Sequence, residues 1–593
     1  MNRIVFLFFA AVFALGCKQQ NPAKTSQKAN IAEICERYYE ERLELFPFEA
    51  AQAGDMRFND RFPIDISDSY RTKLKAFFEN YKNLLQNIAP EQVDEKDKIS
   101  YELLKWECDN ALEELALPLN LMPINQFDAM HLKLPQLGSG ASIQPFKTTK
   151  DYDNWLNRAA GFSAWADTAI LNMRRGSEKG IVLPKALAVK VLPQLKDVIK
   201  PAEKSIFWNP INEFPKEIDE AERKRLTVAY KNLIEKEINP AYNRLATFFQ
   251  KEYIPRCRET SGISDIPQGK EIYQHFVKMW TTTNSSPDEI FELGQREVAR
   301  IKAEMEKVKE EVGFKGDIKA FFAHVNKLPE LHPYTQDSQA IAGFRKIHEK
   351  MQPQLLQLFD MVPKTAFEIR QTEAFREASA SAEYNQGAPD GSRPGIFYCP
   401  VLNPKDYNIF QDEALFLHEA IPGHHYQVSL QSENTDLPKF RRFLWYGAYG
   451  EGWALYTESL GKELGLYSSP YQYFGRLGME MHRAIRLVVD VGMHHKGWTR
   501  EQAIRYSLDN EAETEQNTIA EIERYMAIPG QALSYKMGQL KILEMRNKAS
   551  EALGSSFDIR KFHNETLKSG CLTLALYERN INEWIAAQKQ SGK

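Results

Sequence analysis

Cysteine is scarce, with six in 593 residues, and no two of them form a C-x-x-C pair. That spacing excludes a thiolate metal site and a dense disulfide frame. Apart from Cys17, the cysteines Cys35, Cys108, Cys257, Cys399 and Cys571 are scattered, enough for one or two bridges in an exported protein with at least one thiol left over. Basic excess is missing as well, since 76 Lys and Arg face 80 Asp and Glu for a formal charge of −4. Without a basic stripe, no nucleic-acid partner is expected. No apolar run reaches the ~20 residues of a membrane-spanning helix. The G-x-S-x-G elbow, the P-loop and G-x-G-x-x-G are all absent, which sets aside the common serine-hydrolase and nucleotide-binding schemes. No short-period repeat suggests a solenoid.

The N-terminus carries an address. Asn2 and Arg3 precede an apolar run from Ile4 to Leu15 that closes on Ala14-Leu15-Gly16-Cys17. This is the pattern of an export signal, and small residues before Cys resemble the bacterial lipobox, in which the Cys is acylated. Residues 1–16 are expected to be removed, Cys17 to be lipidated, and 17–30, rich in Gln, Lys, Ser and Asn, to act as a flexible tether. Two or more acyl chains anchor stably. Lys18, in place of Asp, resembles outer-membrane sorting, so the expected address is the cell envelope, on its periplasmic or outer-membrane face.

The body, 31–593, reads as mainly α. Tyr70, Leu74, Phe77, Phe78, Tyr81, Leu84 and Leu85 recur at spacings of three and four and predict an amphipathic helix. A second helix is announced by Ser286-Pro287-Asp288-Glu289, an N-cap with Pro at the first position and an acid at the third, and stopped by Gly313. Its stripe is Ile290, Val298, Ile301, Met305, Val308 and Val312. Strand-like alternation is confined to Phe367–Arg370 and Gly395–Tyr398, which predicts a small sheet. The Pro/Gly-rich stretch 385–404 reads as loops near a site, and the segment Gly395–Tyr398 as a strand that either closes the sheet or offers a free edge to a substrate backbone.

Chemistry concentrates at His418-Glu419-Ala-Ile-Pro422-Gly423-His424-His425, where three of the chain's 12 histidines fall within eight residues. A zinc hydrolase needs neutral imidazoles, an open position for water and a nearby carboxylate. Zincins place two histidines at i and i+4 on one helical face, but here i+4 is Pro422. A regular helix would carry His425 ~10 Å along the axis from His418, too far to share an ion. Pro422-Gly423 therefore has to interrupt the helix. A bulge of two residues returns His424 to the place of the usual second ligand, with His425 the alternative. Glu451 and Glu458, in Glu-Gly-Trp-Ala-Leu-Tyr-Thr-Glu, lie seven apart on one face; Glu451 is the expected third ligand and Glu458 a partner for an imidazole.

The segments 418–427, 451–458, Arg486-Leu-Val-Val-Asp490-Val-Gly-Met-His494 and Arg524-Tyr-Met-Ala-Ile-Pro529-Gly530-Gln531-Ala-Leu-Ser-Tyr535-Lys-Met-Gly resemble the family called domain of unknown function 885. The likeness extends from Leu45–Gly54 through Phe276–Thr283 to Phe562–Trp584, nearly the whole mature chain. That family is similar to the gluzincin metallopeptidases. The resemblance implies two helical lobes around a deep cleft, as in thimet oligopeptidase, with a small sheet beside the active-site helix and a catalytic core at about 365–545. It implies one Zn2+ per chain on His418, His424 and Glu451, with Glu419 as general base. Tyr535 is the candidate oxyanion donor, a buried core tyrosine being the competing reading. Asp490 and His494 lie at i and i+4, which turns His494 either to the cleft as a substrate contact or donor, or outward in an exposed His494-His495 pair. The expected activity is hydrolysis of short peptides by a lipid-anchored enzyme. Hydrolysis of another amide, such as a cell-envelope fragment, and ligand binding without chemistry are the rivals.

Overall fold

The computed structural model describes residues 30–591, apart from 374–376, 378–380, 389, 390 and 392. The export signal, Cys17 and all but the last residue of the tether lie outside the described residues. The described chain is mostly helical, and sequence pattern explains where helices start and stop. Ser67 caps Asp68–Gln86, which buries Leu74, Phe77, Phe78, Tyr81 and Leu85. Ser286 and Glu289 form a reciprocal capping box for Pro287–Glu311, and Gly313, at φ +73°, follows its end.

Two lobes are built from chain segments far apart in sequence. One gathers the N-terminal helices, the stretch 340–467 and the C-terminal helices around a single apolar core that includes Tyr38, Phe344, Phe416, Trp453 and Tyr577. The other contains the helical core of 124–253, centred on Trp155, Phe162 and Tyr242. It also contains a core in which the Pro287–Glu311 helix packs on Pro470–His494 through Ile301, Met305, Ile485 and Val489. A smaller cluster with Ile272, Ile290 and Leu487 joins these last two cores. The helices Pro470–His494, Gly447–Glu458 and Ser534–Leu553 all line one cleft, the last two packed on each other.

The sheet has three strands: β1 (Phe367–Gln371), β2 (Glu383–Asn385) and β3 (Gly395–Cys399), in the order β1-β3-β2. β3 pairs parallel with β1 and antiparallel with β2. Gly395–Tyr398 is therefore the central strand with both edges used, so it cannot offer a free edge to a substrate. The edge beside the cleft belongs to β2, three residues that the hydrophobic pattern is too short to announce. Cys35, Cys108, Cys257, Cys399 and Cys571 are all free thiols, four of them buried, so no bridge forms among them.

Candidate metal centre

The helix Asp412–Glu419 ends at Ala420, whose φ −105° and ψ −108° are not helical, and a second helix starts at His424. Gly423 makes this turn sterically possible. A Cβ there would stand 1.9 Å from the carbonyl oxygen of His418 and 2.3 Å from that of Leu417, so only glycine lets the chain recross the helix end so closely. The Nε1–H of Trp453 donates to the Pro422 carbonyl at 2.9 Å, and the Thr457 hydroxyl donates to the Leu417 carbonyl at 2.8 Å. Both tie the Glu451 helix to this turn.

The result brings three side chains together. Nε2 of His418 is 3.6 Å from Glu451 Oε2, and Nε2 of His424 is 3.5 Å from the same oxygen. The two imidazole planes are nearly perpendicular, at 89°. All three candidate ligand atoms lie within 4.8 Å of one another. Two donors each about 2.1 Å from a common ion at the tetrahedral angle sit about 3.4 Å apart, so the separations from Glu451 and the His2Glu donor set fit zinc. Glu458 Oε1 lies 2.8 Å from His418 Nδ1, on the far side of the ring.

Electrostatics follow from this packing. Burial opposes the charged form of His418, but hydrogen bonds to Glu451 and Glu458 outweigh it and hold the imidazole up to about 10. Burial would raise Glu451, yet the two facing imidazoles hold its carboxyl well below the ordinary range. Burial lifts Glu419 above the usual carboxylate value, against the pull of His418 and His424. A carboxylate whose proton affinity is raised is the kind a general base needs.

These residues floor a cleft of about 600 Å³ that takes lining from both lobes, including Tyr384, Trp445, His482, Arg483, Arg486 and Tyr535. Tyr535 is in the cleft wall, 8% exposed, with its hydroxyl 3.4 Å from Arg524. His425 is turned away from the metal-ligand cluster. Its Nδ1 meets the Tyr384 hydroxyl at 2.9 Å, and burial lowers it to about 4. His494 does not reach the cleft. The Ile263 N–H donates to its Nδ1 at 2.9 Å and its Nε2 lies 3.0 Å from the Tyr525 carbonyl, so the fully buried ring bridges two segments. Asp490, also fully buried, accepts from the Tyr273 hydroxyl and the Gly530 N–H, and burial raises it to about 7. It fixes the turn that precedes Tyr535. Sequence alone does not single out Tyr384, Trp445, His482 or Arg483. The one available signal is the basic pair His482-Arg483 among the apolar residues of the Pro470–His494 helix, which also carries Arg476, Glu480, Arg486 and Asp490.

Fold and site together define a two-lobed helical protein with a His2Glu cluster and an adjacent glutamate at the base of its cleft. The chain belongs to the DUF885 family, described as bacterial proteins of unknown function, whose model matches residues 47–581. It is similar to the crystal structure of a candidate lipoprotein from Colwellia psychrerythraea, at 27% identity and a TM-score of 0.86, covering 94% of this chain and 99% of that one. A candidate lipoprotein of unknown function from Shewanella oneidensis shares the fold at 17% identity and a TM-score of 0.73, covering 93% and 99%. No curated protein matches the chain. Among the described residues no helix is long and apolar enough to cross a membrane.

Proposed function

We propose that the protein is a zinc-dependent peptidase held in the cell envelope by lipid on Cys17, acting on short peptides. The observation that carries the reading is the meeting of His418, His424 and Glu451 on one small volume with Glu419 beside them, at the base of a cleft. Zinc held by these residues would supply Lewis acidity and bring the pKa of a water towards neutrality. Glu419 takes the proton of the attacking water and delivers it to the leaving amine nitrogen. The Tyr535 hydroxyl donates to the oxyanion that develops on the scissile carbonyl. Glu458 fixes the His418 ring, and the cleft walls exclude folded proteins while admitting extended chains. Attachment to the envelope is supported by the run ending in Gly16-Cys17 and by likeness to candidate lipoproteins.

Elemental analysis of soluble protein beginning at Lys18, with His418→Ala beside it, tests the metal. One zinc per wild-type chain and none in the variant is expected. A mixed peptide pool then tests the chemistry: Glu419→Gln should keep the zinc and lose turnover. Absence of zinc from both proteins after reconstitution, or equal turnover by Glu419→Gln, overturns the reading.

A further inference from the structure

The cleft wall opposite the metal ligands carries three basic side chains on one stretch of the Pro470–His494 helix, and two of them are neutralised. His482 Nδ1 lies 2.6 Å from Glu511, and the Arg486 guanidinium donates to Glu521 at 2.9 Å and to the Tyr525 hydroxyl at 2.8 Å. Arg483 is different. Among the described residues no carboxylate lies within 4.0 Å of it, and its one hydrogen bond is a long 3.4 Å contact to the Met479 carbonyl. Its Nε is buried without a partner. The guanidinium stands over the ring of Tyr535, 5.8 Å from its centroid, and its charge reaches Glu419. A half-buried cation costs desolvation unless something pays it back, and every other basic group of this stretch has its anion.

We infer that Arg483 receives a carboxylate of the substrate, and that this carboxylate is the C-terminal one of a short peptide. The inference rests on the peptidase reading above and names its substrate class. Arg is suited to the task because its planar fork meets a carboxylate in two parallel hydrogen bonds. The terminal source is favoured because every unmodified peptide carries an α-carboxylate that is ionised at neutral pH, whereas an Asp or Glu side chain is present only in some. Around Arg483 the cleft lining continues through Arg486, 4% exposed, and Tyr535, 8% exposed, with the Arg486 guanidinium 4.6 Å from the ring centroid and already paired with Glu521. A peptide held by its C-terminal carboxylate ends at Arg483, whose charge reaches Glu419, so its last bonds are the ones offered to that base. The enzyme would be an exopeptidase working from the C-terminus. The same chemistry could come from an Asp or Glu side chain, which the experiment separates.

The experiment uses two matched tetrapeptide pools, one with free C-terminal carboxylates and one amidated, given to zinc-loaded wild type, Arg483→Gln and Arg483→Lys, with products read by mass spectrometry. Wild type is expected to cleave the free-acid pool about tenfold or more faster, the margin of one charge-assisted hydrogen-bonded pair. Arg483→Gln should bring the acid-to-amide ratio to about one, and Arg483→Lys should restore part of it. If the ratio is near one in wild type but amidated peptides containing Asp or Glu are preferred and lose that preference in Arg483→Gln, the carboxylate is a side chain and the C-terminal assignment falls. If no preference for any carboxylate depends on Arg483, or if Arg483→Gln slows both pools equally, the anchor is refuted while the peptidase reading stands. Equilibrium dialysis of the same pools against Glu419→Gln, with and without Arg483→Gln, reads binding without turnover. If neither pool is hydrolysed by any protein, the peptidase reading fails, and a free-acid preference lost on changing Arg483 still identifies the anchor.

Discussion

Glu458 Oε1 and His418 Nδ1 are 2.8 Å apart, on the side of the imidazole opposite the nitrogen that faces Glu451. The carboxylate fixes both the tautomer and the plane of the ring, leaving Nε2 free to bind a cation. Glu458→Gln keeps the shape but weakens the acceptor. It is expected to lower zinc affinity by about 10–100-fold, the usual cost of losing such a partner, with circular dichroism unchanged. Competition against a chromogenic chelator measures the shift, and an unchanged affinity would remove Glu458 from this role.

Two adjacent histidines offer themselves as the second ligand, and their environments divide them. His424 Nε2 faces Glu451, whereas His425 packs against Phe367 and Tyr384. His424→Ala should abolish zinc binding, and His425→Ala should retain one zinc per chain while lowering thermal stability. Elemental analysis of the two variants decides it, and loss of zinc from His425→Ala alone would reverse the assignment.

The candidate ligand types were legible because three of the 12 histidines fall within 418–425 beside Glu419, and Glu451 and Glu458 lie seven apart on one helical face. The choice of His424 over His425 followed from the interruption at Pro422-Gly423, and the structure places His424 with His418 and Glu451, because Gly423 lets the chain pass close to the His418 carbonyl. The long amphipathic helices were equally plain, because periodicity integrates over many residues. β2 has only three. The spacing of Asp490 and His494 correctly puts them on one face, but it cannot say what covers that face. The answer is the Gly262–Ile263 segment, about 230 residues away, which approaches so closely that a Cβ on Gly262 would meet the Met493 carbonyl at 2.1 Å. Unpaired Arg483 was hidden for a similar reason, since the partners of His482 and Arg486 come from the following segment, Glu511, Glu521 and Tyr525.

Close helix packing places Glu451. A Cβ on Gly538 would lie 1.7 Å from the Ala448 carbonyl and 2.7 Å from Gly452 Cα, so the Ser534–Leu553 helix touches the backbone of the helix that carries Glu451. Gly538→Ala must force the two helices apart and shift Glu451 relative to the histidines. The expected cost is about 1–3 kcal/mol in chemical denaturation, as for other overpacked cores, together with weaker zinc binding. Gly478→Ala, on the Pro470–His494 helix where the nearest atom to a new Cβ is 3.5 Å away, serves as comparison and should be neutral or slightly stabilising. Equal behaviour of the two variants would show that close contact at Gly538 does not position the ligand.

Beneath the Arg483 wall, Glu480 collects three cations. Lys536 Nζ and Arg300 each lie 2.6 Å from Oε1, and Arg476 lies 2.7 Å from Oε2. Burial pushes the Glu480 carboxyl up, but Arg476, Lys536 and Arg300 together overcome it and hold it down to about 2. A carboxyl whose folded value is depressed prefers the folded state while it is ionised, so its contribution is complete above the ordinary value of 4.5 and is lost as pH falls from there towards 2. Unfolding midpoints measured from pH 6 down to pH 2.5 should therefore fall most steeply below about pH 4.5. Glu480→Gln leaves Arg476 without its anion and Lys536 with Glu297 alone, and should cost about 3–5 kcal/mol at neutral pH. The same variant should flatten the acid limb, because the group that titrates there is gone. A steep acid limb that survives in Glu480→Gln would assign acid sensitivity to other carboxylates and reduce this cluster to a neutral-pH stabiliser.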